Sequence, residues 1–150
     1  MTRDTWREMS DEAIAEFLSS RGHGVLSLGG DRPYALPMSF GYDGPNRRCV
    51  MQFMSGPDSR KRDRVDPGTP ACLVVYEWHH EDDWRSVIAE GQLDPIPAGS
   101  ERERAAGDRF GEDAATVGLS IFGHPVADLD PQWYDLEIET LSGYRSPLDP

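Results

Sequence analysis

From His23 to Leu93 the chain passes through five short β-type segments, with no helical crossover reading between them. HGVLSL (23–28) leads through GGDRP into PYALPMSFGY (33–42). DGPN at 43–46 is a hairpin signal, because Gly and Asn adopt the backbone that tight turns require. RRCVMQFM (47–54) comes next, then TPACLVVYEW (69–78), and HHEDD turns the chain into WRSVIAEGQL (84–93). Parallel neighbours are usually joined by a crossover helix, and none reads between these segments, so antiparallel pairing is expected. QWYDLEIETL (132–141) is a sixth candidate, and six strands at hairpin spacing predict a mainly β antiparallel barrel.

Within that pattern Pro37 removes a ladder donor, so its strand is expected at an edge or a bulge, where backbone groups can meet a ligand. The near-continuous apolar run 69–78 reads as a central strand. Before the strands, Ser10 is a candidate N-cap, Asp11 and Glu12 suit the positive helix end, and Gly22 supplies the stop. Met9 and Ile14 have the spacing of a hydrophobic staple, and Ile14, Phe17 and Leu18 form one apolar stripe. Residues 94–99, DPIPAG, form a rigid break. Residues 100–123 read as one or two helices interrupted by Gly107 and Gly111, with Arg102, Arg104 and Arg109 on a solvated face.

The length predicts one domain over 1–150, and no apolar run approaches the ~20 residues of a membrane span. The N-terminal MTRDTWREMSDE carries no apolar signal segment, which places the protein in the cytoplasm. A net charge of −12 argues against binding to nucleic acid or anionic membranes. Fourteen arginines against one lysine resemble the bias of salt-loving archaea, where salt screens self-repulsion. Cys49 and Cys72 lie in apolar stretches and read as buried reduced thiols. His79 and His80 alternate across a strand and fit a polar hairpin better than a metal site, while His23 and His124 suggest no role. There is no G-x-S-x-G elbow or Walker loop, and no helix follows the glycines at 22–30 where a dinucleotide fingerprint needs one. A self-contained hydrolase is not indicated.

Against that acidic background SGPDSRKRDR (55–64) concentrates Arg60, Lys61, Arg62 and Arg64, four of the 15 cations, including the single lysine. A phosphate group wants such a set: an arginine fork, a lysine point charge, and hydroxyl or backbone donors. Ser59, Arg60 and Lys61 are assigned to phosphate. Arg62 and Arg64 are assigned to solvent and to Asp58, Asp63 and Asp66.

The order YALPMSFGYDG, CVMQFMS, SRK, CLVVYEW and WRSVIAEGQL, from Tyr34 to Leu93, resembles the pyridoxamine 5'-phosphate oxidase family. The resemblance implies a six-stranded antiparallel Greek-key split β-barrel with flanking helices, holding FMN. It implies that Ser59, Arg60 and Lys61 hold the FMN phosphate. Pro37, Met38, Ser39 and Phe40 would lie along the flavin ring, and Met54 and Ser55 would also touch it. In W-x-S-V-x-x-x-G (Trp84, Ser86, Val87, Gly91), Ser86 would supply a polar side chain to the flavin. The resemblance further implies a homodimer with FMN at the subunit interface and a small-molecule substrate. That interface suits an apolar edge carrying Tyr34, Leu36, Met38 and Phe40. The final LEIETLSGYRS is similar to the closing strand of the family's smaller members. GYRSPLDP lacks the tryptophan and arginine pattern of the oxidases proper, and the layout is nearer the short, nitroimidazole reductase-like branch. The expected function is an FMN-dependent oxidoreductase. The alternatives are a non-catalytic flavin carrier, or a barrel using deazaflavin or haem.

Overall fold

The computed structural model describes residues 6–55, 66–113 and 130–147. Ser10 opens the first helix, its Oγ accepting a hydrogen bond from the Ala13 amide at 3.1 Å. This helix, α1 (Asp11–Arg21), ends at Gly22, whose φ of 68° is a conformation that opposes a side chain. Ile14, Phe17 and Leu18 are buried along one face, and Met9 packs into the same core.

The strands are β1 (Arg7–Glu8), β2 (His23–Leu28), β3 (Tyr34–Ser39), β4 (Gly41–Asp43), β5 (Arg48–Ser55), β6 (Thr69–His80), β7 (Asp83–Pro95) and β8 (Asp130–Arg145). They form one antiparallel sheet in the order β3-β2-β6-β7-β8-β5-β4, with β1 on β8. The end strands of that order, β3 and β4, are consecutive in the chain and joined by Phe40 alone. The sheet must therefore curl until its ends meet, which makes a split barrel. The connection from β5 to β6 crosses between distant positions in the sheet, as a Greek key requires.

Eight strands stand where six were expected. The stretch 33–42 breaks at Phe40, whose amide donates to the Gly22 carbonyl at 3.0 Å, and Arg7–Glu8 add a short pairing with β8. β6 is central, as its apolar run suggests, yet only one of its faces is sealed. Leu73 and Val75 point into the barrel, while Tyr76 and Trp78 are exposed. The expected apolar edge is also corrected. Leu36, Met38 and Phe40 are buried in the core, and the pleat turns Ala35 and Pro37 outward instead. Cys49 is fully buried, and burial pushes its thiol pKa upward. Cys72 is only half-buried, on the outer face.

Beyond the break after β7, α2 (Glu101–Asp113) runs unbroken through Gly107 and Gly111. It seats Ala106 against Val50 and Ile96, with Phe110 meeting Trp133 edge-on at 5.2 Å. A Cβ on Gly41 would lie 2.7 Å from the Arg109 carbonyl, so glycine sets how closely α2 approaches β4. The solvated face expected for α2 holds for Arg104, which is exposed, but not for Arg102. Arg102 forms an ion pair with Asp135, a carboxylate of β8 that is buried. No helix among the described residues is long and apolar enough to cross a membrane.

Candidate functional site

The barrel opens where the strand of residues 34–43 changes partners. Gly41, Tyr42 and Asp43 pair with Val50, Cys49 and Arg48 on β5. Before Phe40 the chain belongs to β2 instead, from Ser39 opposite His23 to Tyr34 opposite Leu28. β5 meanwhile continues to Ser55 laddered to β8, with Met54 opposite Pro131 and Ser55 opposite Asp130. The split therefore lies between β3 and the second half of β5. Residues 37–40 flank it on one side and residues 54–55 on the other. Pro37 sits on the end strand of the sheet, where its missing N–H interrupts no central ladder.

Side chains divide by the pleat. Pro37 is exposed and Ser39 half-buried, whereas Met38 is 5% and Phe40 0% exposed, both in the core. What this stretch can offer a ligand is Pro37, Ser39 and main chain. Ser59, Arg60 and Lys61 lie outside the described residues, as do Arg62 and Arg64, in the segment that continues from β5. The far end of that segment is tied down. The Asp66 amide donates to Thr69 Oγ1 at 2.8 Å, and the Gly68 amide donates to the Asp94 carboxylate at 2.8 Å.

Ser86 is elsewhere. It is half-buried on β7, between Tyr76 of β6 and Tyr144 of β8. Three strand steps separate it from β3, roughly 15 Å at ordinary strand spacing. One chain thus brings residues 37–40 together with residues 54–55 and leaves Ser86 apart.

Sequence reasoning missed the outer face on which Ser86 stands. One row across it reads Pro37, Val25, Val74, Ile88 and Ser142, and the next holds Tyr76, Ser86 and Tyr144. Tyr76 is 57% and Trp78 63% exposed, with Val25, Ile88 and Tyr144 also open. Alternation in VVYEW was a signal for this face, hidden because the run looked apolar on both sides.

At one margin of this face is an open depression of about 360 Å³, bounded by Arg21, His23, Pro37, Tyr76, Trp78 and His79 around Glu77. Glu77 receives two hydrogen bonds from Arg85, one of them 2.8 Å long from Nε, and Arg21 lies 3.5 Å from its other oxygen. Burial raises the Glu77 carboxyl, but the Arg85 bonds and the charges of Arg85, Arg21 and His79 outweigh it and hold it below the usual carboxylate range. Arg85 also lies over the Phe17 ring, 4.5 Å from its centroid.

An antiparallel barrel opened by a partner-changing strand defines the class, and the sequence match places the chain within it. Residues 10–145 match the pyridoxamine 5'-phosphate oxidase family, and the chain belongs to that family. Its fold is similar to that of the FAD-binding protein of Mycobacterium smegmatis, with TM-score 0.68 and 14% identity over 95% of this chain and 100% of the other. The FAD and haem binding protein of the same organism superposes with TM-score 0.64 and 20% identity, over 98% of this chain and 77% of its own. A Bacteroides thetaiotaomicron protein ascribed to 5-nitroimidazole antibiotic resistance gives TM-score 0.61 and 14% identity, over 97% and 94% of the two chains. At these identities the likeness is one of fold. No curated protein matches the sequence.

Proposed function

We propose that the protein binds FMN in the split between β3 and β5, at an interface between two copies of the chain, and acts as a flavin-dependent oxidoreductase on a small molecule. The observation that carries this reading is the change of partners at Phe40. It leaves β3 as an end strand beside the end of β5, from which the Ser59-Arg60-Lys61 segment departs. A flavin needs main-chain donors and acceptors along the polar edge of its ring and cations at its phosphate. The free edge of β3, where the main chain of Ala35 and Ser39 points away from β2, suits the first need, and Arg60 and Lys61 suit the second. In a chain of net charge −12, a bound phosphate depends on such a local cluster. When bound, the flavin supplies the redox chemistry, and the protein's part is to hold the ring and exclude water.

Ser86 fits this reading if it serves the flavin held by a second copy. The exposed apolar side chains of Ile88 and Tyr144 beside Ser86 are the surface that copy would cover.

The test is direct. The purified protein should show a flavin absorbance spectrum, and Lys61→Ala should weaken FMN retention about tenfold or more at matched salt. Arg104→Ala, on an exposed position of α2, should leave retention unchanged. Equal FMN affinity in Lys61→Ala and the parent removes the phosphate assignment. Two structures of similar fold are named for FAD, which favours FAD as a second reading; the mass of the released cofactor decides between them. A deazaflavin or haem would declare itself in the same spectrum. Turnover with a nicotinamide donor and an electron acceptor separates an oxidoreductase from a flavin carrier.

A further inference from the structure

We propose that the depression between α1, β2 and β6 binds small planar aromatic carboxylates.

The depression arises from unequal strand lengths. The β2–β6 ladder runs from Leu28 opposite Ala71 to Val25 opposite Val74, while β6 continues to His80. The overhang Tyr76–His79 faces the end of α1 and the start of β2 across about 360 Å³, and Pro37 forms the far wall. That volume suits a molecule of one or two rings. Trp78 and Tyr76 offer flat, solvent-facing rings, and Val25 and Pro37 extend the apolar surface.

The charge selects an anion. Glu77 is the single carboxylate in the lining, and it is shared between two guanidiniums, Arg85 and Arg21. Glu77, Arg21 and Arg85 together carry one net positive charge, with Arg85 standing behind the lining. His23 and His79 stand on the same rim. Arg21 is poorly served within the chain. Its bonds to Glu77 and to the Tyr76 carbonyl are both 3.5 Å long, and its buried Nε has no hydrogen-bond acceptor. A carboxylate held between the aromatic walls gives this guanidinium the planar partner its fork matches. Pro37 is common to both places: the depression lies on the β2 side of β3 and the split on the β5 side. A ligand in the depression is thus one strand away from the proposed flavin.

Calorimetric titration of the purified full-length protein with 2-naphthoate and with neutral 2-naphthamide tests the idea. Naphthoate should bind about tenfold tighter than the amide, as a charge-assisted pair with arginine requires. Arg21→Gln should abolish that preference, and Trp78→Ala should weaken both ligands. Equal affinity for the two ligands in the parent overturns the proposal. So does a preference that survives Arg21→Gln in a folded variant. Should Arg21→Gln fail to fold, Trp78→Ala at its exposed position still decides: unchanged naphthoate affinity overturns the pocket. A preference in a protein that carries no flavin keeps the binding site and removes the flavin reading. A flavin-loaded protein without the preference does the reverse.

Discussion

Gly91 stands where β7 passes a bulge in β8, Glu90 facing Thr140 and Gly91 facing Ile138, so that Glu139 is the extra residue. A Cβ on Gly91 would overlap the Glu137 carbonyl, which is ladder backbone and cannot swing aside. Gly91→Ala should therefore lower stability by about 3 kcal/mol or prevent folding, read as the urea midpoint. Gly111→Ala meets open space on α2 and should add roughly 0.5–1 kcal/mol by helix propensity. Glu77 gives a pH signature at the same scale. Its carboxyl pKa is depressed in the folded protein, so its stabilising effect is present above the ordinary carboxylate range and is lost as the pH falls through the lowered folded value. Glu77→Gln should flatten that acid limb of a melting temperature against pH curve. An unchanged limb would show that Arg85 and Arg21 contribute nothing through this carboxylate.

The elements differ in how far local signals specify them. α1 was legible from end to end because its cap, staple and C-terminal glycine are all local chemistry. The DGPN hairpin was legible too, although Arg47 adopts a φ of 51° within it, a detail that pattern does not carry. α2 was legible as a helix but not in its packing. Arginines and acids surround it, so periodicity could not say which side meets the sheet. Asp135, opposite Val50 on β5, decides that Arg102 is the inward one. Arg102→Met should leave a buried carboxylate unpaired and cost about 3 kcal/mol in chemical denaturation. Arg104→Met should fall within about 0.5 kcal/mol of the parent, as an exposed position does.

For the whole molecule, the exposed apolar side chains beside Ser86 make a statement about assembly. If a second copy covers them, Ile88→Glu places a charge at their middle and should shift the protein to a monomer in sedimentation velocity. With Ser86 serving the partner's flavin, cofactor retention should fall in the same variant. A monomeric parent, or an Ile88→Glu variant that stays dimeric, would remove the shared site.

Hairpin spacing, the proline in the second strand and the family's ordered motifs were enough to determine an antiparallel barrel and its family. Those signals are local: turn chemistry, period-two alternation and short residue strings. Which side of each strand faces the core was not local. Met38 and Phe40 went inward and Pro37 outward because the chain changes partners at Phe40, a choice made by β2 and β5 together. The separation of Ser86 from β3 and the meeting of Arg21 with Glu77 and Trp78 are likewise products of strand order, which places residues more than fifty positions apart side by side.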